Sequence, residues 1–165
     1  MNFNYGSDKL TLKKIMQLAQ GLRRGFLLPE VISGIHKNNE IVQNIVHSKI
    51  AVYGINTGFG PLCDTLISAK ETNTLQRNLL ITHAVGVGKP IKKKLSKIMM
   101  ICKVHALCQG YSGIRLKVIE RILYFIENNL IPVVPEQGSV GASGDLAPLS
   151  HLFLPLIGEG EFWIN

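Results

Sequence analysis

Three consecutive small residues, Ala142-Ser143-Gly144, carry the most unusual chemical potential in this sequence. If the backbone bends tightly there, the Gly144 amide nitrogen can attack the carbonyl carbon of Ala142, because glycine has no Cβ to block the approach. The carbonyl oxygen leaves as one water and closes a five-membered ring. The Ser143 hydroxyl leaves as a second water and exposes an exocyclic methylidene. The product is a strong electrophile, which no ordinary side chain supplies. A bare Ala-Ser-Gly is far more often a Gly/Ser surface loop, so the residues around it decide. Three other places hold residues suited to chemistry: a tyrosine at the mouth of a glycine-rich loop (Tyr53), a Thr82-His83 pair near the end of an apolar-periodic stretch, and Asp145 directly after the small-residue triplet.

The longer string Gly138-Ser139-Val140-Gly141-Ala142-Ser143-Gly144-Asp145-Leu146-Ala147-Pro148-Leu149-Ser150-His151 resembles the signature of the aromatic amino-acid ammonia-lyases. Tyr53-Gly54-Ile55-Asn56-Thr57-Gly58-Phe59-Gly60 is similar to a second signature of that family, in the expected order and separation. The likeness continues through 75–80, 82–88, 110–115 and 156–161. It therefore spans the chain from about Thr11 onward. Within the family, Gly-Ser-Val-Gly before the triplet and Ala-Pro-Leu-Ser-His after it are closest to the members that act on histidine. Thr82-His83 resembles their Ser-His pair, with a methyl added beside the hydroxyl.

The resemblance implies specific roles. Ala142, Ser143 and Gly144 would form a methylidene-imidazolone autocatalytically, with no external cofactor, and Asp145 would assist the cyclisation. Read without the family, Asp145 is a helix N-cap, since Leu146 onward looks helical. Tyr53 would act as an acid/base or orienting hydroxyl. A phenol serving as a base at neutral pH needs local positive potential. His83, with Thr82, would contact the substrate, and Gly60 and its neighbouring glycines would let backbone approach it closely. Without the matched motif, Tyr53 reads as a half-buried packing residue and His83 as a satisfied core histidine. His36, His47, His105 and His151 read as structural. The implied reaction is deamination of L-histidine to trans-urocanate and ammonia in a homo-oligomer, a tetramer in the family. The competing readings are a phenylalanine or tyrosine lyase or aminomutase of the same family, and a non-catalytic chain that only binds a partner.

These residues need elements to hold them. Leu12, Ile15, Met16, Leu18 and Ala19 recur at helical spacing behind Thr11, a plausible N-cap, with Gly21 as the stop. A second helix is expected from about Glu30 to Val46. Ser68-Ala69-Lys70-Glu71 fits a capping box and opens a helix that carries Leu75, Leu79, Leu80 and Thr82-His83. Gly86-Val87-Gly88-Lys89-Pro90 ends it. Two more helices follow the periodicity of Leu95 to Ala106 and of Leu116 to Leu130. The glycines and proline of 53–61 require an ordered loop. Ile50-Ala51-Val52-Tyr53 and Pro132-Val133-Val134-Pro135 look too short and too proline-bounded for a real sheet. The expected fold is therefore mainly α, the N-terminal part of the all-helical lyase fold with ordered glycine-rich loops.

Composition excludes several classes. The chain has 165 residues, 46% hydrophobic and 18% charged, enough for one domain with a real core and unlike a disordered segment. No apolar run approaches a membrane span, and the first residues lack the basic and apolar regions of a secretory signal. A soluble, cytoplasmic protein is the expectation, with no membrane partner. The net charge of +7 comes with a Lys92-Lys93-Lys94 cluster that has no interleaved aromatics. It reads as a solvated helix start and not as a nucleic-acid site. Cys63, Cys102 and Cys108 have no metal-binding spacing and read as reduced thiols. Gly86-Val87-Gly88-Lys89 fails as a phosphate loop because Pro90 follows the lysine. The apolar Phe162-Trp163-Ile164 after a turn signal looks like the start of an element that continues, so 1–165 is expected to be the active-site-bearing N-terminal domain of a longer lyase.

Overall fold

A computed structural model describes the chain except for Met1, Lys49, residues 141–143, Asp145 and Asn165; of Ala69 and Lys70 only the backbone is described. Among the described residues six α-helices cover nearly half of the chain: α1 (Leu12–Ala19), α2 (Pro29–Val46), α3 (Ala69–His83), α4 (Lys93–Leu107), α5 (Leu116–Glu127) and α6 (Leu146–Phe153). The expected mainly α class holds. The helix starts follow local chemistry. The Thr11 hydroxyl accepts from the Lys14 amide at 3.4 Å, and the Ser68 hydroxyl accepts from the Glu71 amide at 3.3 Å. The Ser68 hydroxyl also donates to the Glu71 carboxylate at 2.6 Å, so Glu71 binds the cap's side chain in addition to the usual pattern of an acid three residues on. α2 starts one residue before Glu30 because Pro29, whose ring presets a helical φ and whose missing N–H costs nothing there, occupies the first turn. α5 ends at Glu127, short of Leu130, because Asn129 takes a left-handed φ of 54° that a continuing helix cannot use.

Four short strands were not expected. β1 (Asn2–Tyr5) pairs in parallel with β2 (Arg24–Leu27), and α1 forms the crossover between them. The burial of Phe3 and Tyr5 beside outward Asn2 is a period-2 pattern only four residues long. Gly25 is required in β2, because a Cβ there would run into the Tyr5 ring. β3 (Val87–Pro90) pairs antiparallel with β4 (Pro135–Gln137), so the segment after His83 does more than end α3. The Ile91 amide donates to the Val134 carbonyl at 2.8 Å, and on the other side the Trp163 amide donates to the Ile131 carbonyl at 2.8 Å. Residues 131–137 are thus a ribbon bonded on both edges, although the stretch is too proline-rich to announce a sheet. No strand forms at Ile50–Tyr53.

The core lies between α4 and α5. Met100, Ile101 and Val104 of α4 and Ile119 and Ile122 of α5 are essentially inaccessible, and Phe3, Tyr5, Leu18, Ile35, Ile131, Val134 and Leu152 complete the cluster. His105 joins β1 to α4: its Nδ1 accepts from the Gly6 amide at 3.2 Å, and its ring stands 5.7 Å from that of Phe3. Burial lowers its pKa below the usual imidazole value, with Lys14 adding to the fall and Asp8 opposing it. Phe162 packs edge-on against Phe125 at 5.2 Å, so the apolar run near residue 162 is partly used within the chain, while Ile164 is exposed. Among the described residues no helix is long and apolar enough to cross a membrane.

Candidate active site

The tyrosine loop is built around one buried amide. Asn56 is 1% exposed; its Oδ1 accepts from the Val52 amide at 2.8 Å, and its Nδ2 donates to the carbonyls of Ile45 at 3.1 Å and Ile50 at 2.9 Å. Two carbonyls and one N–H around the side chain fix which end is nitrogen. These bonds fold residues 50–56 back onto the end of α2. The far side of the loop closes through Gly58 N–H to Thr65 at 3.2 Å and Ile67 N–H to Asn56 at 2.9 Å. The result lifts Tyr53 to the surface, 62% exposed, with its ring edge-on to Phe59 at 5.8 Å. Gly60 begins a short 3-10 turn (Gly60–Leu62) in a left-handed conformation, φ 59°, and no atom lies within 4 Å of the place a Cβ would take. That leaves open space against its backbone, as close approach of a ligand requires.

His83 is the last residue of α3. Its Nδ1 lies 2.8 Å from the Leu79 carbonyl, which can only accept, so Nδ1 carries the proton and Nε2 is the nitrogen left for a ligand. The Thr82 hydroxyl donates to the Asn78 carbonyl at 2.8 Å and sits 3.3 Å from His83 Nδ1. Thr82 is therefore tied back to the helix, with lone pairs but no free proton to offer.

The electrophile segment is described only at its edges, since Ala142, Ser143 and Asp145 lie outside the described residues. Gly144 has φ 82°, and among the described residues nothing lies within 4 Å of a Cβ built on it. With no Cβ, the glycine leaves its amide nitrogen unblocked for attack on the carbonyl two residues earlier, so the residue types here fit a methylidene-imidazolone. α6 begins two residues later and packs on α3. A direct bond joins the two: the Gly86 amide, three residues beyond His83, donates to His151 Nε2 at 3.0 Å. Burial lowers the His151 pKa, which keeps that nitrogen unprotonated.

The structure thus brings α3 and the residues just after it against α6 and Gly138, which flank residues 141–143 and 145 in the chain. Among the described residues no hydrogen bond links Tyr53 to His83 or Gly144. Asn56 and His151 escaped the sequence reading as site-builders; both lie inside the matched motifs, which is the signal that pointed to them. Among the described residues no group of histidine, cysteine and acidic side chains could hold a metal. Cys108 is buried, its thiol pushed up to about 12, and burial also raises Cys102.

The aromatic amino acid lyase family model matches residues 10–165. A histidine ammonia-lyase of Symbiobacterium thermophilum is 47% identical over 156 residues, covering 94% of this chain and 31% of that protein. Another, from Shouchella clausii, is 49% identical over 144 residues, 87% of this chain and 29% of that protein. Among solved structures, a histidine ammonia-lyase from Trypanosoma cruzi superposes with a TM-score of 0.87 at 34% identity, over 98% of this chain and 31% of that one. A tyrosine aminomutase from Streptomyces globisporus superposes at 0.91 with 28% identity, over all of this chain and 31% of that one. The chain spans less than a third of the length of these relatives. On this match of sequence and fold, the chain belongs to the aromatic amino acid lyase family.

Proposed function

We propose that this chain is the electrophile-bearing domain of a longer ammonia-lyase that converts L-histidine to trans-urocanate and ammonia. The observation that carries the proposal is the Thr82-His83 pair at the end of α3, with Gly86, three residues on, bonded to His151 of α6, the helix that follows Ala142-Ser143-Gly144 in the chain. The similarity to histidine ammonia-lyases at 47% and 49% identity supports histidine over other aromatic amino acids.

The methylidene-imidazolone formed from Ala142, Ser143 and Gly144 supplies an electrophilic carbon that protein side chains lack. The remaining work falls to this chain's own residues. His83, with its Nδ1 proton given to Leu79, presents Nε2 as an acceptor for an N–H of the substrate, from its imidazole or its ammonium. Gly60 leaves room for substrate against bare backbone. Tyr53 supplies a hydroxyl that orients the substrate or moves a proton, and its exposed ring meets the rest of the site on another subunit of a homotetramer. The enzyme works in the cytoplasm. Asp145 assists the cyclisation. The 165 residues alone are inactive, because Leu12, Val85, Val87 and Tyr111 leave large apolar groups uncovered and much of the site lies elsewhere.

The test is the intact mass of the complete protein that contains this chain, with its turnover of L-histidine, L-phenylalanine and L-tyrosine. A mass two waters below the value calculated from the sequence, with preference for histidine, is expected. A full-weight mass overturns the electrophile. Preference for phenylalanine or tyrosine, or conversion to a β-amino acid, reassigns the chain to a sister activity of the family.

A further inference from the structure

The segment that carries Ala142-Ser143-Gly144 follows the ribbon at Gly138 and precedes α6 at Leu146; Gly138 rests on Gly86, and Gly86 in turn meets His151 of α6. A Cβ on Gly138, whose φ is 143°, would lie 3.0 Å from Gly86 Cα and 3.2 Å from Ala147 Cβ. A Cβ on Gly86 would lie 3.1 Å from the Gln137 carbonyl and 3.1 Å from the His151 ring. The backbones of Gly86 and Gly138 and the methyl of Ala147 therefore pack closely. The pairing of Val87 with Gln137 sets β3 against β4 beside them, and the bond from the Gly86 amide to His151 Nε2 at 3.0 Å ties that junction to α6. Gly86 is three residues from His83 and at the edge of β3, so moving this junction moves the histidine relative to α6.

We propose that His151 is a positioning residue: by accepting from the Gly86 amide it holds α6, the helix that follows Ala142-Ser143-Gly144 in the chain, against the segment that follows His83. The inference rests on the functional reading above and adds a residue to it. The effect of His151 comes through geometry, where a displacement of about 1 Å costs on the order of 100-fold in rate.

The experiment compares His151→Phe, which keeps a ring but no acceptor, with His151→Gln, whose Oε1 reaches about as far as Nε2, in the complete protein. Three quantities are read: folding by thermal melt, the fraction of protein lacking two waters by intact mass, and kcat and KM for the substrate that the unmodified protein prefers. The expectation is a folded His151→Phe with an incomplete mass deficit and a kcat down about 100-fold, KM changing little, and a His151→Gln within about tenfold of the parent. His151→Phe within threefold of the parent in both kcat and mass deficit overturns the proposal, as does a His151→Gln no better than His151→Phe. If His151→Phe does not fold, His151→Asn, whose acceptor falls short of Gly86, replaces it under the same criteria. If only His151→Gln folds, the bond serves the fold alone and the positioning role is refuted. Failure of the functional reading shows separately, as an unmodified protein with no mass deficit.

Discussion

Asn56→Ala should open the tyrosine loop without unfolding the domain. The substitution removes three hydrogen bonds at once, at 2.8, 3.1 and 2.9 Å, and strands the Val52 N–H and the Ile45 and Ile50 carbonyls around a side chain that is 1% exposed. Each intramolecular hydrogen bond is worth about 1 kcal/mol net, so the closed loop loses about 3 kcal/mol. At about 1.4 kcal/mol per factor of ten, the open population rises roughly 100-fold. Hydrogen exchange at the Val52 amide reads this directly and should accelerate by about that factor, while amides in α4 and α5, far from the loop, keep their protection. Because Tyr53 lies between Val52 and Asn56, kcat of the complete enzyme should fall with it.

Asn56→Asp separates hydrogen bonding from simple filling of space. The acid has the same shape and keeps an acceptor for Val52, but it turns two donors into an oxygen facing two carbonyls. It should therefore damage the loop at least as much as alanine does. Exchange at Val52 within threefold of the parent in Asn56→Ala would refute the reasoning. It would mean that the Gly58–Thr65 and Ile67–Asn56 backbone bonds hold the loop without the side chain.

Other expectations follow from the packing. His105 accepts from Gly6 only when neutral, and burial lowers its pKa, so the unfolded chain takes up its proton first as pH falls. Its stabilising contribution is full above the ordinary imidazole value of about 6.5 and is lost as pH drops below it. Thermal melts from pH 8 to pH 5 should show that decline, and His105→Asn, which keeps an acceptor near Nδ1, should flatten it. Gly25→Ala places a methyl in the Tyr5 ring and should lower stability by about 1–3 kcal/mol in chemical denaturation, as overpacking does; a loss under 0.5 kcal/mol would show that the ring moves aside freely. Arg77→Ala breaks the 2.7 Å ion pair with Glu159, but both side chains are about half exposed, so the loss should stay under about 1 kcal/mol. Cys108, buried with its thiol near 12, should resist alkylation of the native protein at pH 8 while the exposed Cys102 reacts.

What could be read from the sequence divides by the range of the interaction. Thr11, Ser68, Gly21 and the spacing of Leu116 to Ile126 act within a few residues, so the helices could be read from the string with errors of one to three positions at Glu30 and Leu130. The strands could not. β1 and β2 are four residues each, and their pairing depends on Gly25 yielding space to Tyr5 across the sheet. The ribbon at 131–137 contains two prolines, which are tolerated because the bonds beside them use the carbonyls of Ile131 and Val134 as acceptors and need no N–H from Pro132 or Pro135.

The same division runs through the candidate site. Ala142-Ser143-Gly144, Tyr53 and Thr82-His83 could be picked out because their chemistry is local and their motifs long. The parts that aim them could not. Gly86 and His151 are 65 residues apart, and Gly6 and His105 are 99 apart, each pair one backbone N–H and one imidazole nitrogen. Nothing local distinguishes these histidines from His36 or His47, and the structural reading of all four was equally reasonable. What separates them is that a part-buried amide is best satisfied by an acceptor, and in two places an imidazole nitrogen supplies it. Such a bond fails on protonation, so two contacts between elements distant in the chain rest on neutral histidines, one joining the end of β1 to α4 and one joining the start of β3 to α6.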